Sequence, residues 1–448
     1  MIKRLLILFS VFQCSILYAQ TLKTDVLVIG GTASGVAAAI QSARSNVKTV
    51  FACDGIKISG ITAAGSKVTL DLNRNTSSGI WGEFRKRIRE ANKDTSATDT
   101  TQEATLSFES GMATNTLKNI ADTVKNLSYY TDGKFKEIKK DGERWEVLFT
   151  RDGKNLTIKA KVIIDATENS AVALKAGAEL SAPVNYRMAD GNSRLYRTSI
   201  ACGEALPGAI PDSSKANSEN YPPYPFYYIP LEAVVAGKVE NILVTETALP
   251  GNKDIQFLPV QLTLGQGVGA AAAFCAFFKT TTARLHTRII QGEVLDFKGY
   301  LLPIADVKQS NPYWRAVQQV CATGLLRGVQ MASGGNPRFC FLPDSPVSTA
   351  EIEPVLKEIY TRAFLWFNRE KPGKEFTVGN MLSFISEITL TSPDVLNKSM
   401  QKAWTDIYRF KNAFDINRPV TRLEFAVLAN RFLNPFARTV SLSGKLIN

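Results

Sequence analysis

Residues Thr24–Arg44 read TDVLVIGGTASGVAAAIQSAR and give the strongest indication of the fold. Asp25–Ile29 is a short apolar run of the kind that forms a central strand of a parallel sheet. Gly30, Gly31 and Gly35 mark a turn, and the alanine-rich segment after them predicts a helix close to the sheet. The N–H groups and the dipole at such a helix start bind a phosphate anion. The stretch therefore predicts the dinucleotide-binding turn of a βαβ unit, with an ordinary α/β turn without a ligand as the alternative.

The next apolar run, Val47–Ala52, predicts the second strand of this unit. Dinucleotide-binding folds often carry an acidic residue at the end of this strand, about twenty residues after the turn, where it binds the ribose hydroxyls. Cys53 stands at that position here and Asp54 follows it. Asp54 is thus a candidate ribose ligand, and a simple turn aspartate before Gly55 is the equal alternative.

Length and composition favour a folded, exported protein. A chain of 448 residues predicts two or three domains. Its hydrophobic fraction of 45% and charged fraction of 21% are those of a globular protein. Residues 1–19 have two basic residues, an apolar core and a small residue at the end, as in a secretory signal peptide cut after Ala19. A lipoprotein signal using Cys14 is the less favoured alternative. No other run is long enough to cross a bilayer, so we expect a protein of the periplasm, cell envelope or extracellular space without a transmembrane span.

The net charge of +12 is spread along the chain. The basic residues of the cluster Arg85–Arg89 alternate with apolar ones at helical spacing, which favours a solvated helix face over a nucleic-acid patch. We therefore expect no nucleic-acid partner. Electrostatic attachment to an anionic envelope surface stays open.

Five of the six cysteines remain after signal removal, and none has CxxC or CxxH spacing. This pattern argues against a zinc site, an iron–sulfur site and a disulfide framework, so no metal ligands are predicted. Cys321 and Cys340 could pair, and buried free thiols are the alternative. The single histidine, His286, lies between two arginines and is predicted to be exposed, which leaves little histidine chemistry.

The rest of the chain predicts further parallel strands followed by a helical region. Lys161–Asp165 and Val239–Val244 read as buried strands, with hairpin strands before the first of them and a loop over Ile58–Asn75. A second group of segments predicts helices: Ile80–Ala91, Met112–Lys125, Trp314–Gly324, Ile352–Phe367, Val378–Ile388, Pro393–Phe410 and Arg422–Phe432. Ser348 with Glu351, and Thr421 with Glu424, have capping-box spacing.

Three segments in this order resemble the FAD-dependent oxidoreductases of the glutathione-reductase-like superfamily. They are the strand–GGTASG–helix stretch, KVIIDAT at Lys161–Thr167 and LGQGVGAAAA at Leu264–Ala273. The most similar branch is that of the secreted bacterial heterodisulfide-reductase-A-like flavoproteins. The resemblance implies an α/β Rossmann domain with a β-meander and FAD as cofactor. Iron–sulfur clusters occur in relatives, but the cysteine spacing here offers them no ligands.

The resemblance also implies domain limits and cofactor-binding positions. Residues 20–180 and 227–298 would form the FAD-binding domain, residues 181–226 a reduced substrate segment and residues 299–448 a helical domain. The positions implied are Gly30, Gly31, Thr32, Ser34 and Gly35 at the FAD pyrophosphate, Asp165, Ala166 and Thr167 beside the dinucleotide, and Gly265, Gln266 and Gly267 at the start of a helix directed at the flavin. A helix N-terminus there would stabilise the negative charge of reduced flavin.

Several positions depart from the family pattern. The ribose-binding acid is replaced by Cys53, a glycine after DAT by Glu168, and a small residue with glycine by Thr245-Glu246. Two hypotheses therefore stand. One is an enzyme that transfers hydride between a small-molecule substrate and flavin. The other is a degenerate flavin fold with weak or no FAD binding that serves as a scaffold or envelope-binding protein. No acid or base stands out as catalytic, and Tyr224, Tyr227 and Tyr228 are candidates either for a pocket wall or for a buried aromatic cluster.

The C-terminal part resembles S-layer homology modules. The resemblance lies in Ala305–Val307, Trp314, Gly324–Gly328, Phe341–Glu351 and Pro419–Phe425. It implies binding of a cell-envelope polymer through a TRAE-type tetrad, which here reads STAE and TRLE. Capping boxes are the structural alternative for both tetrads.

Overall fold

The computed structural model of the protein describes residues 20–58, 65–72, 76–92, 105–181, 194–205, 221–223, 225–249, 254–331 and 337–447. The predicted signal peptide and Tyr224 lie outside these residues. The described strands, in chain order, are β1 (Gln20–Ile29), β2 (Thr49–Ala52), β3 (Lys67–Leu70), β4 (Leu106–Glu109), β5 (Leu127–Tyr130), β6 (Lys134–Asp141), β7 (Arg144–Arg151), β8 (Lys154–Asp165), β9 (Ser199–Glu204), β10 (Phe226–Pro230), β11 (Ile242–Val244), β12 (Val329–Met331) and β13 (Arg338–Cys340).

The described helices are α1 (Ala33–Arg44), α2 (Gly79–Ala91), α3 (Ser110–Asp122), α4 (Ala171–Lys175), α5 (Leu258–Phe277), α6 (Thr287–Asp296), α7 (Trp314–Thr323), α8 (Thr349–Ile359), α9 (Ala363–Glu370), α10 (Val378–Thr389), α11 (Pro393–Asp406) and α12 (Arg422–Leu428). A π-helical turn, Ala429–Leu433, continues α12.

Within the described residues, seven strands form one mixed sheet of order β5-β2-β1-β8-β7-β6, with β11 also paired to β8. Strands β5, β2, β1, β8 and β11 are parallel, so their carboxyl ends meet at one edge. Ile29 pairs with both Ala52 and Asp165, and Val244 pairs with Asp165. The residues that follow these strand ends therefore lie side by side along one crevice, where ligands of open α/β sheets bind.

The meander β6–β7–β8 supplies the antiparallel part of the sheet. Strand β8 is continuous over twelve residues, whereas the sequence predicted two separate strands there. Its first half pairs with β7, and Ile163–Asp165 pair with β11. The predicted fold class, an α/β Rossmann domain with a β-meander followed by helices, is confirmed.

Helix α5 packs along α1 and begins at Leu258. The prediction that a helix begins at Gly265 is wrong, because Pro259 occupies the first turn and Gly265 lies in the interior of the helix. A β-carbon on Gly269 would come within 2.5 Å of the Ala38 carbonyl oxygen, so close helix packing explains this glycine. The prediction that no other run is long enough to cross a bilayer is wrong for one stretch of the described residues. Ile255–Phe277 is long and apolar enough, and 89% of its most apolar part is buried against the rest of the chain.

Other predicted element bounds also change. Ile58–Asn75 was predicted to be a loop but contains β3, which pairs with β4 far along the chain. Ile352–Phe367 was predicted as one helix but contains the end of α8 and the start of α9, separated at Tyr360, whose hydroxyl donates to the Leu433 carbonyl. In both cases a contact between residues far apart in the chain accompanies the change in bounds.

The C-terminal helices share the apolar core of the sheet domain. One cluster of buried apolar side chains extends from Val26 in β1 to Phe436 near the C-terminus. Polar contacts add to this connection: Arg197 forms a bidentate pair with Glu358 in α8, with N···O distances of 2.9 and 2.8 Å. The helical region thus packs intimately on the remainder of the chain.

Of the two predicted capping boxes, one forms. The Thr421 side chain caps α12, and the Glu424 carboxylate accepts a hydrogen bond from the Thr421 N–H at 2.9 Å. The box predicted at Ser348 is wrong, since its side chain makes no capping hydrogen bond. Glu351 instead accepts from Arg422 at 2.6 Å and from the Arg327 N–H at 2.8 Å.

Candidate cofactor site at the glycine turn

A cleft of about 320 Å³ opens at the carboxyl edge of the parallel strands. This volume lies at the lower end of the range for ligand pockets. The predicted site residues that line it are Gly30, Gly31, Thr32, Asp54, Ala166 and Thr167. The sequence thus predicted three chain segments that the fold brings together here.

The glycines of the turn are required by close backbone packing. Gly30 has a φ of +117°, and a β-carbon there would come within 2.2 Å of the Ala166 carbonyl. A β-carbon on Gly31 would come within 1.9 Å of the Gly55 oxygen, and one on Gly35 within 2.5 Å of the Gly30 oxygen. The turn is therefore held between the end of β8 and the residues that follow β2.

Thr32 is the N-cap of α1 and orients the helix start toward the cleft. Its hydroxyl accepts from the Gly35 N–H at 3.2 Å and lies 3.2 Å from the Ala166 carbonyl oxygen. The N–H groups of the first turn have no partners within the helix, and α1 has no acidic residue there. Together with the helix dipole, they provide positive potential at the cleft for a phosphate group.

Ser34 lies beneath the cleft and is fully buried. Its hydroxyl donates to the carboxylate of Glu246, which is itself 1% exposed, and lies 3.0 Å from the Thr245 hydroxyl. The N-terminal dipole of α1 favours a carboxylate at this position. The family resemblance singled out Glu246 only as a departure, whereas the structure places its carboxyl group against Ser34 in the first turn of α1.

Asp165 was predicted beside the dinucleotide but is fully buried and serves the start of α4. Its carboxylate accepts from the Ala173 N–H at 2.7 Å and from the Thr167 hydroxyl at 2.6 Å. Burial raises the pKa of Asp165, and these hydrogen bonds oppose the rise. The Thr167 hydroxyl also accepts from the Ala171 N–H, so both side chains cap α4 while Ala166 and Thr167 still line the cleft.

The candidate ribose ligands lie at the other end of the cleft. Cys53 is 3% exposed, and burial raises the pKa of its thiol to about 12. A neutral thiol cannot replace the carboxylate that accepts ribose hydroxyls in other dinucleotide sites. Asp54 is exposed at the mouth of the cleft, and its carboxylate lies 3.9 Å from the Lys134 ammonium. Asp54 is thus the carboxylate that can reach a ribose.

Gly265, Gln266 and Gly267 lie away from this cleft. The Gln266 side chain is fully buried, accepts from the Ile80 N–H at 3.1 Å and donates to the Phe297 carbonyl at 3.1 Å. It thereby caps α2. A β-carbon on Gly267 would come within 2.6 Å of the Ile200 oxygen. All three therefore have packing roles inside α5, and none stands at the helix start.

Other candidates from the sequence are placed as follows. Tyr227 and Tyr228 are buried in the apolar core, at 9% and 7% exposure. His286 is half-buried and its Nδ1 accepts from the Ile289 N–H, which caps α6. Cys321 and Cys340 are free and buried, so the possible disulfide between them is absent in the described structure.

These residues fit one end of FAD. The glycine turn and the α1 N-terminus suit a pyrophosphate, and the cleft has room for the adjoining nucleoside. Lys57 adds a cation to the lining and Glu168 a carboxylate. The backbone of the glycine turn could thus hold a phosphate, and Asp54 could hold a ribose.

Comparisons with known proteins give one family match and several similar solved structures. Residues 25–189 match the family described as FAD dependent oxidoreductase. Similar solved structures include the rebeccamycin biosynthetic enzyme RebC with reduced flavin, at 16% identity over 36% of this chain and 36% of that one, with a TM-score of 0.28. They also include p-nitrophenol 4-monooxygenase PnpA from Pseudomonas putida DLL-E4, at 16% identity, 35% and 43% coverage and a TM-score of 0.27.

A third similar structure is bacillithiol disulfide reductase Bdr from Staphylococcus aureus, at 14% identity, 33% and 38% coverage and a TM-score of 0.23. The chain spans 36%, 43% and 38% of the lengths of these three proteins. No curated protein matches this chain. The family match thus covers residues 25–189, the part of the chain that contains the glycine turn and most of the parallel sheet.

Proposed function

We propose that the protein is an exported FAD-dependent oxidoreductase that transfers hydride between a small-molecule substrate and flavin. The observation that carries this proposal is the GGT turn, which presents the N-terminus of α1 to a cleft at the carboxyl edge of the parallel sheet. The family match over residues 25–189 supports it. When bound, FAD supplies the hydride acceptor and donor.

The chain's own residues bind and orient the cofactor in this proposal. The backbone N–H groups at Gly31 and Thr32 and the first turn of α1 hold the pyrophosphate. Asp54 accepts from the ribose hydroxyls, and Lys57 offsets part of the phosphate charge. The small residues Gly30 and Ala166 let the cofactor approach the backbone closely. We also propose that the protein is related to the heterodisulfide-reductase-A-like branch of these flavoproteins.

A second candidate function is a flavin fold that binds FAD weakly or not at all and acts as a scaffold. Three observations favour it. Cys53 supplies no ribose carboxylate, Glu168 places a carboxylate in the cleft, and the Glu246 carboxyl group already contacts Ser34 in the first turn of α1.

The visible absorption spectrum distinguishes these candidates. The chain without residues 1–19 is purified, and its spectrum is recorded before and after unfolding. The enzyme proposal expects flavin bands and release of one FAD per chain. A colourless protein that also fails to take up added FAD supports the scaffold instead.

We also propose that the C-terminal helices attach the protein to a cell-envelope polymer, as the S-layer-like segments suggest. The tetrad arginine Arg422 is engaged internally with Glu351 and two backbone carbonyls, so attachment must use other surface groups. Sedimentation of the full chain with isolated envelopes tests this. Retention that resists washing is expected, and a protein that stays in the supernatant contradicts the proposal. The full chain is needed because Arg197 and Glu358 join the helices to the rest.

A further inference from the structure

A second groove lies at the opposite end of α1 from the glycine turn. It consists of two adjoining clefts of about 390 and 680 Å³, which share Arg44 and Phe297 in their walls. Because α1 has twelve residues, its two ends lie about 18 Å apart. The groove is therefore separate from the cofactor cleft, and its volumes are in the range of ligand sites.

The smaller cleft has an apolar wall formed by the end of α5 and by α6. Phe277, Phe278 and Ile289 in this wall are 63%, 54% and 45% exposed. The ring of Phe278 lies 5.1 Å from that of Phe277 and 4.9 Å from that of Phe274. Adjoining exposed apolar side chains of this kind are a feature of surfaces that bind ligands or partners.

The larger cleft is cationic. Its wall has five basic side chains, from Arg44, Arg85, Lys86, Arg89 and Lys298, against three carboxylates, which leaves a net charge of +2. Each of the three carboxylates has a cationic neighbour in the described structure. Glu83 pairs with Arg44 and Arg87, Glu90 lies 3.8 Å from Lys86, and Asp296 lies 2.6 Å from Arg315. One further carboxylate, Glu293, lines the apolar cleft.

An apolar wall that continues into a cationic wall is complementary to a molecule with an apolar chain and an anionic head. We propose that this groove binds a single anionic lipid. Its acyl chain lies along Phe274, Phe277, Phe278 and Ile289. Its head group lies beyond Arg44 and Phe297, among Lys86, Arg89 and Lys298. The occupant is a lipid because the wall combines one continuous apolar surface with a positive end.

Fatty acids of increasing length test the proposal by calorimetric titration of the full chain without residues 1–19. Decanoate, dodecanoate and tetradecanoate are expected to bind at one site, with affinity rising about fourfold per added methylene. Higher salt is expected to weaken binding because it screens the cations. Dodecanol should bind more weakly than dodecanoate, and dodecyltrimethylammonium weakest of all.

The affinities of substituted proteins for dodecanoate test where the lipid binds. Phe277→Ser with Phe278→Ser should weaken dodecanoate binding by about tenfold or more, and Lys298→Glu by about tenfold. The matched control, Phe364→Ser with Leu365→Ser, removes two side chains that are 57% and 66% exposed elsewhere and should bind like the unmodified protein. Thermal melting confirms that each variant folds. Equal binding by all variants, equal loss in the control, or indifference to the charge of the head group overturns the proposal.

Discussion

Gly265 in the middle of α5 lies directly against Ser34 in the first turn of α1, where a β-carbon on Gly265 would come within 2.2 Å of the Ser34 carbonyl oxygen. The contact fixes the start of α1, and with it the glycine turn, against the longest buried helix of the domain. Of the glycines in the GQGVG segment, Gly265 and Gly269 serve this helix pair, while Gly267 lies against Ile200.

Gly265→Ala is therefore expected to destabilise the protein by about 2–3 kcal/mol, because the added methyl group forces α5 and α1 apart. Urea unfolding followed by circular dichroism measures the change. Gly292→Ala in the interior of α6 is the matched control, since its β-carbon would meet only the Arg315 side chain at 3.9 Å. That substitution should stabilise the protein by about 0.5–1 kcal/mol. Equal effects at the two positions would refute the packing role.

The buried cysteines predict slow thiol chemistry in the folded state. Five thiols are free and buried. Ellman's reagent at pH 8 without reductant should therefore label few thiols in the native chain without residues 1–19, and five after unfolding. A count of three after unfolding would mean that one pair, such as Cys321 and Cys340, is bonded.

Burial of these thiols also makes the stability of the folded protein depend on pH. The pKa of Cys53 and that of Cys275 rise from 9.0 to about 12 on folding. The stability from these neutral thiols is fully present below pH 9.0 and is lost as the pH rises from 9.0 toward 12. Urea midpoints measured at pH 8 and pH 10 should fall accordingly, and Cys53→Ser combined with Cys275→Ser should reduce that fall.

Arg422 links two distant parts of the helical region. Its guanidinium donates to Glu351 at 2.6 Å and to the carbonyls of Phe341 and Arg327 at 2.7 and 2.6 Å. Arg422→Ala leaves these acceptors without their donor and should cost about 3 kcal/mol in urea unfolding. Lys411→Ala, which breaks an exposed pair at 3.5 Å, should change stability by at most about 0.5 kcal/mol. If both variants changed the free energy of unfolding by similarly small amounts, the Arg422 contacts would be dispensable for stability.

Removing the charge of Glu168 tests whether an anionic cofactor binds in the cleft. Its carboxylate lines the cleft in which an anionic pyrophosphate is proposed to bind. Glu168→Gln removes this repulsion and should tighten FAD binding by about two- to fivefold in a fluorescence titration. Glu375→Gln makes the same charge change on an exposed residue of the helical region and should leave the affinity unchanged. A loss of affinity in Glu168→Gln would place the phosphates elsewhere.

The sequence predicted the fold most accurately where local signals agree. The end of β1 was predicted correctly at Ile29, because an apolar run stops there before two glycines. The helix after the turn was predicted over Val36–Ala43, whereas α1 begins three residues earlier, at Ala33, and includes Gly35. The start of α5 was misplaced by seven residues. The glycines that suggested a helix start are instead required by the contact with α1, which only the folded chain reveals.

The candidate site was predicted in part for the same reason. Gly30, Gly31 and Ala166 follow strand ends, so topology brings them to one edge. The roles of Asp165 and Glu246 depend on side-chain direction: one carboxylate turns to α4 and the other to Ser34. No pattern in a single sequence sets those directions.

A cofactor site at the glycine turn is tested most directly by titrating the folded chain without residues 1–19 with FAD, with flavin fluorescence as the signal and Gly31→Val for comparison. A side chain at Gly31 collides with the Gly55 oxygen and displaces one wall of the cleft. One saturable FAD site is expected in the unmodified protein, with affinity weakened by about tenfold or more in the folded variant. Failure of the unmodified protein to bind FAD, or equal affinity in a folded Gly31→Val, would contradict a cofactor site at the glycine turn.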